Sequence, residues 1–222
     1  MLALVVDTSS EAVIAAVVEV TATGFTVRSR FESVDGRRHG ERMAPMVALA
    51  IEQSGGATVR DLDAIVAGTG PGPFTGLRVG LVTAASMGQA LRVPTYGVCS
   101  LDAIGGVPGQ VTLVANDARR REVYWALYDK DGARIDGPHV DQPVKAAEQA
   151  REATVAVGEG ARRYADQLGV EVRDEPRFPQ VELFAREAAD RVRARAPGEV
   201  LTPLYLRRPD AVAAITHKPV LR

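Results

Sequence analysis

Residues 68–80 read GTGPGPFTGLRVG, between an apolar run at 64–67 and a long run with helical spacing. We predict a buried strand that turns into a helix at this glycine-rich loop. Glycine permits sharp turns and close backbone approach, and proline fixes φ and removes a hydrogen-bond donor. Such junctions are ordinary connections in α/β proteins, and they are also places where these proteins hold phosphates or substrates.

The loop does not match the standard phosphate-binding motifs. A P-loop needs two glycines five positions apart followed by Lys and Ser or Thr, whereas Gly72 and Gly76 are four apart and Leu77 follows. A dinucleotide fingerprint starting at Gly70 needs glycine or alanine where Thr75 stands. The loop is therefore predicted to launch a helix, capped by Thr75 and ending at about residue 91.

Two helices of the first half have distinctive faces. In the second helix small residues recur every fourth position, which lets another element approach closely; that element is either this chain's own sheet or a partner helix. A helix over 41–54 carries methionines on its apolar face, which suit an adaptable interface. We predict a partner interface formed by Met43, Met46, Val47, Ala50, Gly76, Gly80, Ala84, Met87 and Gly88.

A strand, an aspartate, a turn and a second strand occur twice, at 2–18 and at 111–128. If Asp7 is placed on Asp117, the apolar positions of the second strands also match, which predicts two related lobes. We expect an N-terminal lobe at 1–104 and a C-terminal lobe at 105–222, with the tail from about 197 packing back on the first lobe. Acids and hydroxyls in such turns can hold a metal-bound phosphate between lobes, and they are also common turn formers. Asp7, Thr8, Ser9 and Asp117 are therefore candidates for a nucleotide site.

Composition indicates an ordinary globular chain. The 222 residues carry a formal net charge of −1, and 46% of them are hydrophobic. One cysteine, Cys99, fits a reducing compartment, and the N-terminus has no basic region or apolar run long enough for a signal peptide or membrane span. We therefore expect a cytoplasmic protein without membrane contact. The three histidines are far apart in sequence, so no metal site is predicted.

Several segments together resemble the TsaB (YeaZ) family. They are the Asp7-Thr8-Ser9 turn, the run 70–80, the segments 117–120 and 122–124, the pattern of His39, Glu41 and Pro45, and the closing Pro203, Tyr205, Leu206 and Arg207. Within the loop, the family motif falls on Gly70, Pro71, Gly72, Phe74, Thr75, Gly76 and Arg78. The chain departs from the family at Pro73, where serine is usual, and at Arg121, where glycine is common.

The resemblance implies an α/β fold of two related lobes, of the actin/Hsp70/sugar-kinase (ASKHA) type. It also implies a role in forming N6-threonylcarbamoyladenosine at position 37 of tRNAs that read codons beginning with A. In this family the protein is a non-catalytic partner. A TsaD subunit transfers the threonylcarbamoyl group and a TsaE subunit is an ATPase, so ATP and metal belong to the partners and no cofactor of its own is expected. The resemblance also implies homodimers in isolation and indirect or weak contact with tRNA.

The competing hypothesis is an autonomous enzyme. In that reading the chain is a Mg-ATP-dependent phosphotransferase or ATPase of the actin-like superfamily, with Asp7 and Asp117 on either side of an interlobe metal-phosphate site. Nucleotide binding by the isolated chain separates this reading from the partner-subunit reading.

Overall fold

A computed structural model describes residues 1–36 and 38–207 of the chain. The first sheet has the strand order β3-β2-β1-β4-β5, with the apolar strand β1 at its centre. Strands β1 to β3 form an antiparallel meander, and β4 and β5 add in parallel on the other side of β1. The bounds are Leu2–Asp7 for β1, Ala12–Val20 for β2, Phe25–Val34 for β3, Leu62–Gly68 for β4 and Thr95–Val98 for β5.

The second sheet repeats this arrangement, with the order β10-β9-β6-β7-β8. Strands β6, β7 and β8 are antiparallel, and β9 and β10 add in parallel beside β6. The bounds are Thr112–Asp117 for β6, Val123–Tyr128 for β7, Arg134–Asp141 for β8, Val155–Val157 for β9 and Glu171–Val172 for β10. The predicted α/β architecture with two related sheets is thereby confirmed.

Seven α-helices flank the sheets in the part of the chain that is described. They are α1 (His39–Glu52), α2 (Phe74–Leu91), α3 (Ser100–Ile104), α4 (Pro143–Gln149), α5 (Glu159–Arg163), α6 (Ala165–Leu168) and α7 (Val181–Arg193). A short 3-10 helix, Val59–Asp61, precedes β4. None of these described helices combines the length and apolarity needed to cross a membrane.

Strand register corrects one detail of the predicted repeat. Asp7 pairs with Ile14 across the first hairpin, and Asn116 pairs with Tyr124 across the second. Because residues of a strand alternate between faces, Asn116 is the counterpart of Asp7, and Asp117 lies one position further on. The predicted match of Asp7 to Asp117 is wrong by one residue, because the second turn is one residue longer than the first.

Helix α7 belongs to the core of the first sheet. Its apolar side, including Phe184, Ala188 and Val192, packs with Val5 and Val66 of the first sheet. The other face of that sheet is covered by α1 and α2. We predicted that residues after 104 belong to the second lobe, but α7 packs on the sheet of the first lobe. An amphipathic helix packs wherever an apolar sheet face is open, and sequence order does not decide which face that is.

The segment after α7 also lies along the first lobe. The amide of Glu199 donates to the carbonyl of Thr95 at 2.8 Å, and the amide of Leu204 donates to the carbonyl of Thr69 at 2.9 Å. Arg207 then forms an ion pair with Glu122, the residue before β7. The chain thus returns to the glycine-rich loop before reaching the second sheet. Residues 208–222, the end of the predicted second lobe, lie outside the described residues.

Candidate functional site

Asp7 ends β1 and is buried beneath the glycine-rich loop. Its carboxylate accepts hydrogen bonds from the amide of Ser9 at 3.0 Å, from the hydroxyl of Ser9 at 2.9 Å and from the hydroxyl of Ser100 at 2.7 Å. Burial raises the pKa of Asp7, and the hydrogen bonds from Ser100 and Ser9 oppose that rise. The carboxylate is thus engaged by groups of its own chain.

Glycine is required where β4 meets Asp7. A Cβ atom on Gly68 would lie 1.7 Å from Oδ2 of Asp7, far inside van der Waals contact. Ser100, the first residue of α3, links this point to the loop, because its hydroxyl accepts from the amide of Gly70 at 3.1 Å and its amide donates to the carbonyl of Gly70 at 2.7 Å. Asp7, Ser100 and Gly70 therefore fix the loop to the end of the sheet. Ser100 was not predicted as a site residue, because nothing in its local pattern shows which loop it contacts.

Thr8 inserts its hydroxyl into α2. The hydroxyl donates to the carbonyl of Gly76 at 2.7 Å and accepts from the amide of Gly80 at 2.9 Å. These two groups are the i and i+4 partners of a regular helix, so Thr8 bridges one step of the helical ladder. A Cβ on Gly80 would come within 2.8 Å of the Thr8 hydroxyl oxygen. The four-residue glycine spacing therefore admits a side chain from the β1–β2 turn.

The start of α2 differs from its prediction. The helix begins at Phe74, its cap residue is Pro73, and no side chain caps it. Thr75 lies inside the first turn and is exposed, so the predicted Thr75 cap is wrong. Gly72, just before the helix, packs against the backbone of Ser9, where a Cβ would lie 2.2 Å from the carbonyl oxygen. Close packing of the loop on the β1–β2 turn sets where the helix begins.

Arg78 contacts two stacked aromatic rings at the surface. Its guanidinium carbon lies 3.7 Å from the centroid of the Phe74 ring, and its Nε donates to the Tyr205 hydroxyl at 2.6 Å. The rings of Phe74 and Tyr205 are stacked with centroids 5.2 Å apart. The closing segment is thereby joined to the first turns of α2 through three residues that the family resemblance includes. Their contact could not be inferred from sequence, because 127 positions separate Arg78 from Tyr205.

Asp117 lies in an ion-pair network between the two halves. Its Oδ2 is 2.7 Å from Nη1 of Arg163 and 3.8 Å from Nε of Arg119. Glu11, in the β1–β2 turn, lies 3.4 Å from Arg119 and 3.5 Å from Arg163. The two hairpin turns therefore face each other and are joined by arginines. Neither Glu11 nor Arg163 was predicted to contact the other hairpin turn, because the sequence does not show which distant segments meet.

The predicted interface stripe packs mainly on this chain's own sheet. Met43, Met46, Val47, Ala50 and Ala84 belong to the core between α1, α2 and the first sheet. A Cβ on Gly88 would lie 2.5 Å from Cγ2 of Thr95, and Gly76 lies against Thr8 and His39. Met87 is partly buried against the same core. Of the two readings of the stripe, close approach to the chain's own sheet accounts for these positions.

The opposite faces of α1 and α2 are exposed and mainly apolar. Val82 is 62% exposed and Leu49 is 40% exposed. Ala44 and Ala48 of α1 and Ala85, Ser86 and Gln89 of α2 are exposed as well. Residues 79–90 contain no charged side chain. We call the residues named here the outer helix face.

Metal ligation finds no support among residues 1–36 and 38–207, which contain no group of three or more His, Cys, Asp or Glu arranged to hold an ion. His39 is buried and its Nε2 lies 2.8 Å from the carbonyl oxygen of Ser10. His139 lies on β8, 2.9 Å from Asp136. These two histidines are thus placed in different lobes.

The paired sheets and the facing hairpin turns define a two-lobed α/β protein of the ASKHA type. The family model described as "TsaD: tRNA N6-adenosine threonylcarbamoyltransferase" matches residues 33–165. An uncharacterized protein of Mycobacterium tuberculosis is 45% identical over 208 residues, covering 94% of this chain and 92% of that protein. The tRNA threonylcarbamoyladenosine biosynthesis protein TsaB of Escherichia coli is 35% identical over 133 residues, covering 58% of this chain and 55% of that protein.

Solved structures agree with these relatives. An uncharacterized Pseudomonas aeruginosa protein with similarity to peptidase YEAZ superposes with a TM-score of 0.74 and 26% identity, covering 93% of this chain and 99% of that one. YeaZ from Pseudomonas aeruginosa superposes with a TM-score of 0.73 and 24% identity, covering 92% and 100%. The chain belongs to the TsaB (YeaZ) family, within the wider group that the TsaD model describes.

Proposed function

We propose that this chain is a non-catalytic subunit of the machinery that forms N6-threonylcarbamoyladenosine at position 37 of tRNAs reading ANN codons. In this role it pairs with a TsaD-type catalytic subunit and supports it, and a TsaE-type subunit supplies the ATPase. Family membership supports the pathway, because the TsaB relative of Escherichia coli is named for this biosynthesis. We also propose that the protein acts in the cytoplasm, where tRNA is modified.

The observation that carries the partner role is the outer helix face. Val82 and Leu49 expose apolar side chains on two helices that pack side by side over one sheet face. Exposed apolar surface without charge is typical of the centre of a protein–protein interface, where charged residues are depleted. The predicted interface stripe contributes to partner binding indirectly, because it holds α1 and α2 on the sheet.

The aspartates support a role without catalysis by this chain. Asp7 would be the metal-phosphate ligand of an autonomous ATPase, yet three hydrogen bonds from Ser9 and Ser100 occupy its carboxylate. Asp117 is paired with Arg163 at 2.7 Å. A carboxylate already paired with cations or donors must give up those contacts before it can bind a hydrated Mg²⁺. The partner-subunit reading is therefore favoured over the phosphotransferase reading.

The pathway is tested by depletion. Threonylcarbamoyladenosine in bulk tRNA is measured by nucleoside mass spectrometry with and without this protein, and with the gene restored. We expect the modified nucleoside to fall on depletion and to recover on restoration. An unchanged level would rule out the proposed pathway.

The interface is tested with two exposed valines. Val82→Arg places a charge in the outer helix face, and Val144→Arg places the same charge on α4, where the valine is 50% exposed. Burying an unpaired charge costs about 3 kcal/mol or more, which is on the order of a 100-fold loss of affinity. We expect Val82→Arg to lose the TsaD-type subunit in co-purification and Val144→Arg to retain it. Equal retention by both variants would refute this interface.

Self-association and nucleotide binding complete the test. We propose that the isolated chain forms homodimers through the same face, so Val82→Arg should shift its mass in light scattering to that of a monomer. Titration calorimetry of the isolated chain with Mg-ATP should give no tight binding. Low-micromolar binding would favour the autonomous enzyme instead.

A further inference from the structure

Five arginines gather where the two lobes and the closing segment meet. Arg119, Arg120 and Arg121 form the β6–β7 turn, Arg78 lies in the second turn of α2, and Arg207 ends the described chain. The Nη2 of Arg207 is 3.4 Å from the carbonyl oxygen of Arg119, and Arg78 contacts Tyr205, two residues before Arg207. We call these five residues the arginine face.

A cleft lies between the β6–β7 turn and the start of α2. Arg119 lines this cleft, of about 270 Å³, together with Phe74 and Thr75 from the start of α2. Among residues 1–36 and 38–207, the acids seen to pair with Arg119 or Arg207 are Glu11, Asp117 and Glu122, and Asp117 is buried. In that part of the chain the five arginines of the face outnumber these three acids, although the whole chain has a formal net charge of −1.

The turn itself has an unusual backbone. Arg119, Arg120 and Arg121 have φ values of 62°, 54° and 62°, the left-handed region that side chains other than glycine, asparagine and aspartate seldom occupy. Each such residue costs about 1 kcal/mol or more. Strained residues of this kind concentrate at ligand-contacting sites, and here the strain orients three consecutive cationic side chains at the surface.

Aromatic rings stand beside these charges. Phe74 is 51% exposed and Tyr205 is 42% exposed, and both flank Arg78. Arginine matches phosphate bidentately, and exposed aromatic or guanidinium planes accept unpaired bases by stacking. An acidic protein surface would be attracted by the same charges, but the bidentate match of guanidinium to phosphate and the stacking of bases on guanidinium planes are specific to a nucleic acid. Arginine with exposed rings thus favours RNA over an acidic protein.

We propose that the arginine face is a direct contact surface for tRNA, with Arg119 to Arg121 on the phosphate backbone. This inference rests on the proposed function for the identity of the RNA, and it replaces the expected indirect or weak contact by a direct one. Arg78 and Val82 lie one turn apart on the exposed side of α2. The RNA would therefore lie at the border of the outer helix face, next to a bound partner subunit.

The test removes charge without harming the fold. Glycine accepts positive φ freely, so Arg120→Gly with Arg121→Gly removes two charges and relieves backbone strain. Arg92→Gly with Arg195→Gly is the matched control, because these exposed arginines also have positive φ, 58° and 48°. Arg92 follows the far end of the 18-residue α2, about 27 Å from its start.

Binding of a fluorescein-labelled, unmodified tRNA that reads an ANN codon is measured by anisotropy over a range of KCl concentrations. The full-length chain is titrated alone and with the TsaD-type subunit. Each phosphate contact is worth about 5-fold near 0.15 M salt, so the Arg120/Arg121 variant should bind about 25-fold more weakly. Its slope of log affinity against log salt should also be shallower by about 2. The control variant should bind tRNA with the same affinity as the wild-type chain.

Three outcomes would overturn the proposal. The first is equal affinity of both double variants, and the second is no binding of tRNA by the unmodified chain in either titration. The third is retained tRNA binding with loss of the TsaD-type subunit, which would assign the arginine face to an acidic protein partner. One result separates failure of direct tRNA contact from failure of the proposed function. If depletion lowers the modified nucleoside and the Arg120/Arg121 variant restores it fully, the proposed function stands and direct contact through the arginine face is refuted.

Discussion

Replacing Gly80 by alanine should destabilise the chain by about 2 kcal/mol, although alanine is the better helix former. The new Cβ would lie 2.8 Å from the Thr8 hydroxyl oxygen. Thr8 can relieve this contact by rotating its hydroxyl away, and rotation breaks its hydrogen bonds to Gly76 and Gly80. The cost of the substitution is therefore the loss of this bridge.

The magnitude follows from the two hydrogen bonds. Both bonds are at least partly buried, so a net loss of about 1.5 kcal/mol for each gives about 3 kcal/mol. Alanine in place of glycine inside a helix returns up to about 1 kcal/mol. In a chain of this size, the net 2 kcal/mol corresponds to a fall in Tm of about 4 to 8 °C.

A double-mutant cycle separates the bridge from helix propensity. With Thr8→Ala the hydroxyl is gone, and the Cβ of residue 8 lies 3.7 Å from the added Cβ, an ordinary contact. Gly80→Ala should then be neutral or stabilising by up to about 1 kcal/mol, so the sign of the effect reverses. The free energy of unfolding of all four proteins is measured by urea denaturation, and we expect a coupling energy of about 3 kcal/mol. The same destabilisation in both backgrounds would refute the reasoning.

Three further substitutions test other contacts. The pKa of Asp7 is raised in the folded chain, so between its unfolded and folded values the folded chain holds a proton that the unfolded chain releases, and the free energy of unfolding falls as pH rises through that window. Asp7→Asn should remove this slope when the free energy of unfolding is measured at a series of pH values starting near pH 4. An unchanged slope would contradict the assignment to Asp7. Tyr205→Ala should speed hydrogen exchange at the amide of Leu204, which donates to Thr69, because the stack that holds the closing segment is lost; an equally protected amide would contradict this. Gly68→Ala should lower the yield of folded protein, since its Cβ has 1.7 Å to the Asp7 carboxylate, and wild-type stability would disprove that contact.

Local patterns predicted much of the fold. The apolar run of β1 and the glycine-rich loop after β4 lie where the sequence indicates, and the predicted end of α2 at residue 91 matches Leu91. These features depend on residues close in sequence, namely apolar periodicity and turn residues. The repeat of strand, aspartate and turn was visible for the same reason, although its register was wrong by one residue because turn length is not visible in an apolar pattern.

The contacts of the site were harder to predict because they join distant segments. Small residues along α2 predict close approach, but they do not tell a sheet from a partner helix. The structure resolves this through Thr8 and Thr95, which occupy the space beside Gly80 and Gly88. Thr75 has the chemistry of a cap, yet packing of Gly72 on the β1–β2 turn shifts the helix start to Phe74. Tertiary packing thus overrides local propensity where the site is assembled.

The position of α7 has a consequence for synthesis on the ribosome. Strands β1 to β5 are complete at residue 98, but one face of their sheet is covered only when α7, starting at residue 181, has emerged. At 5 to 20 residues per second, translation of the roughly 80 residues between them takes on the order of ten seconds. Throughout that interval the nascent chain carries an open apolar sheet, a surface that chaperones bind. A helix made late in synthesis therefore completes the first sheet to be made.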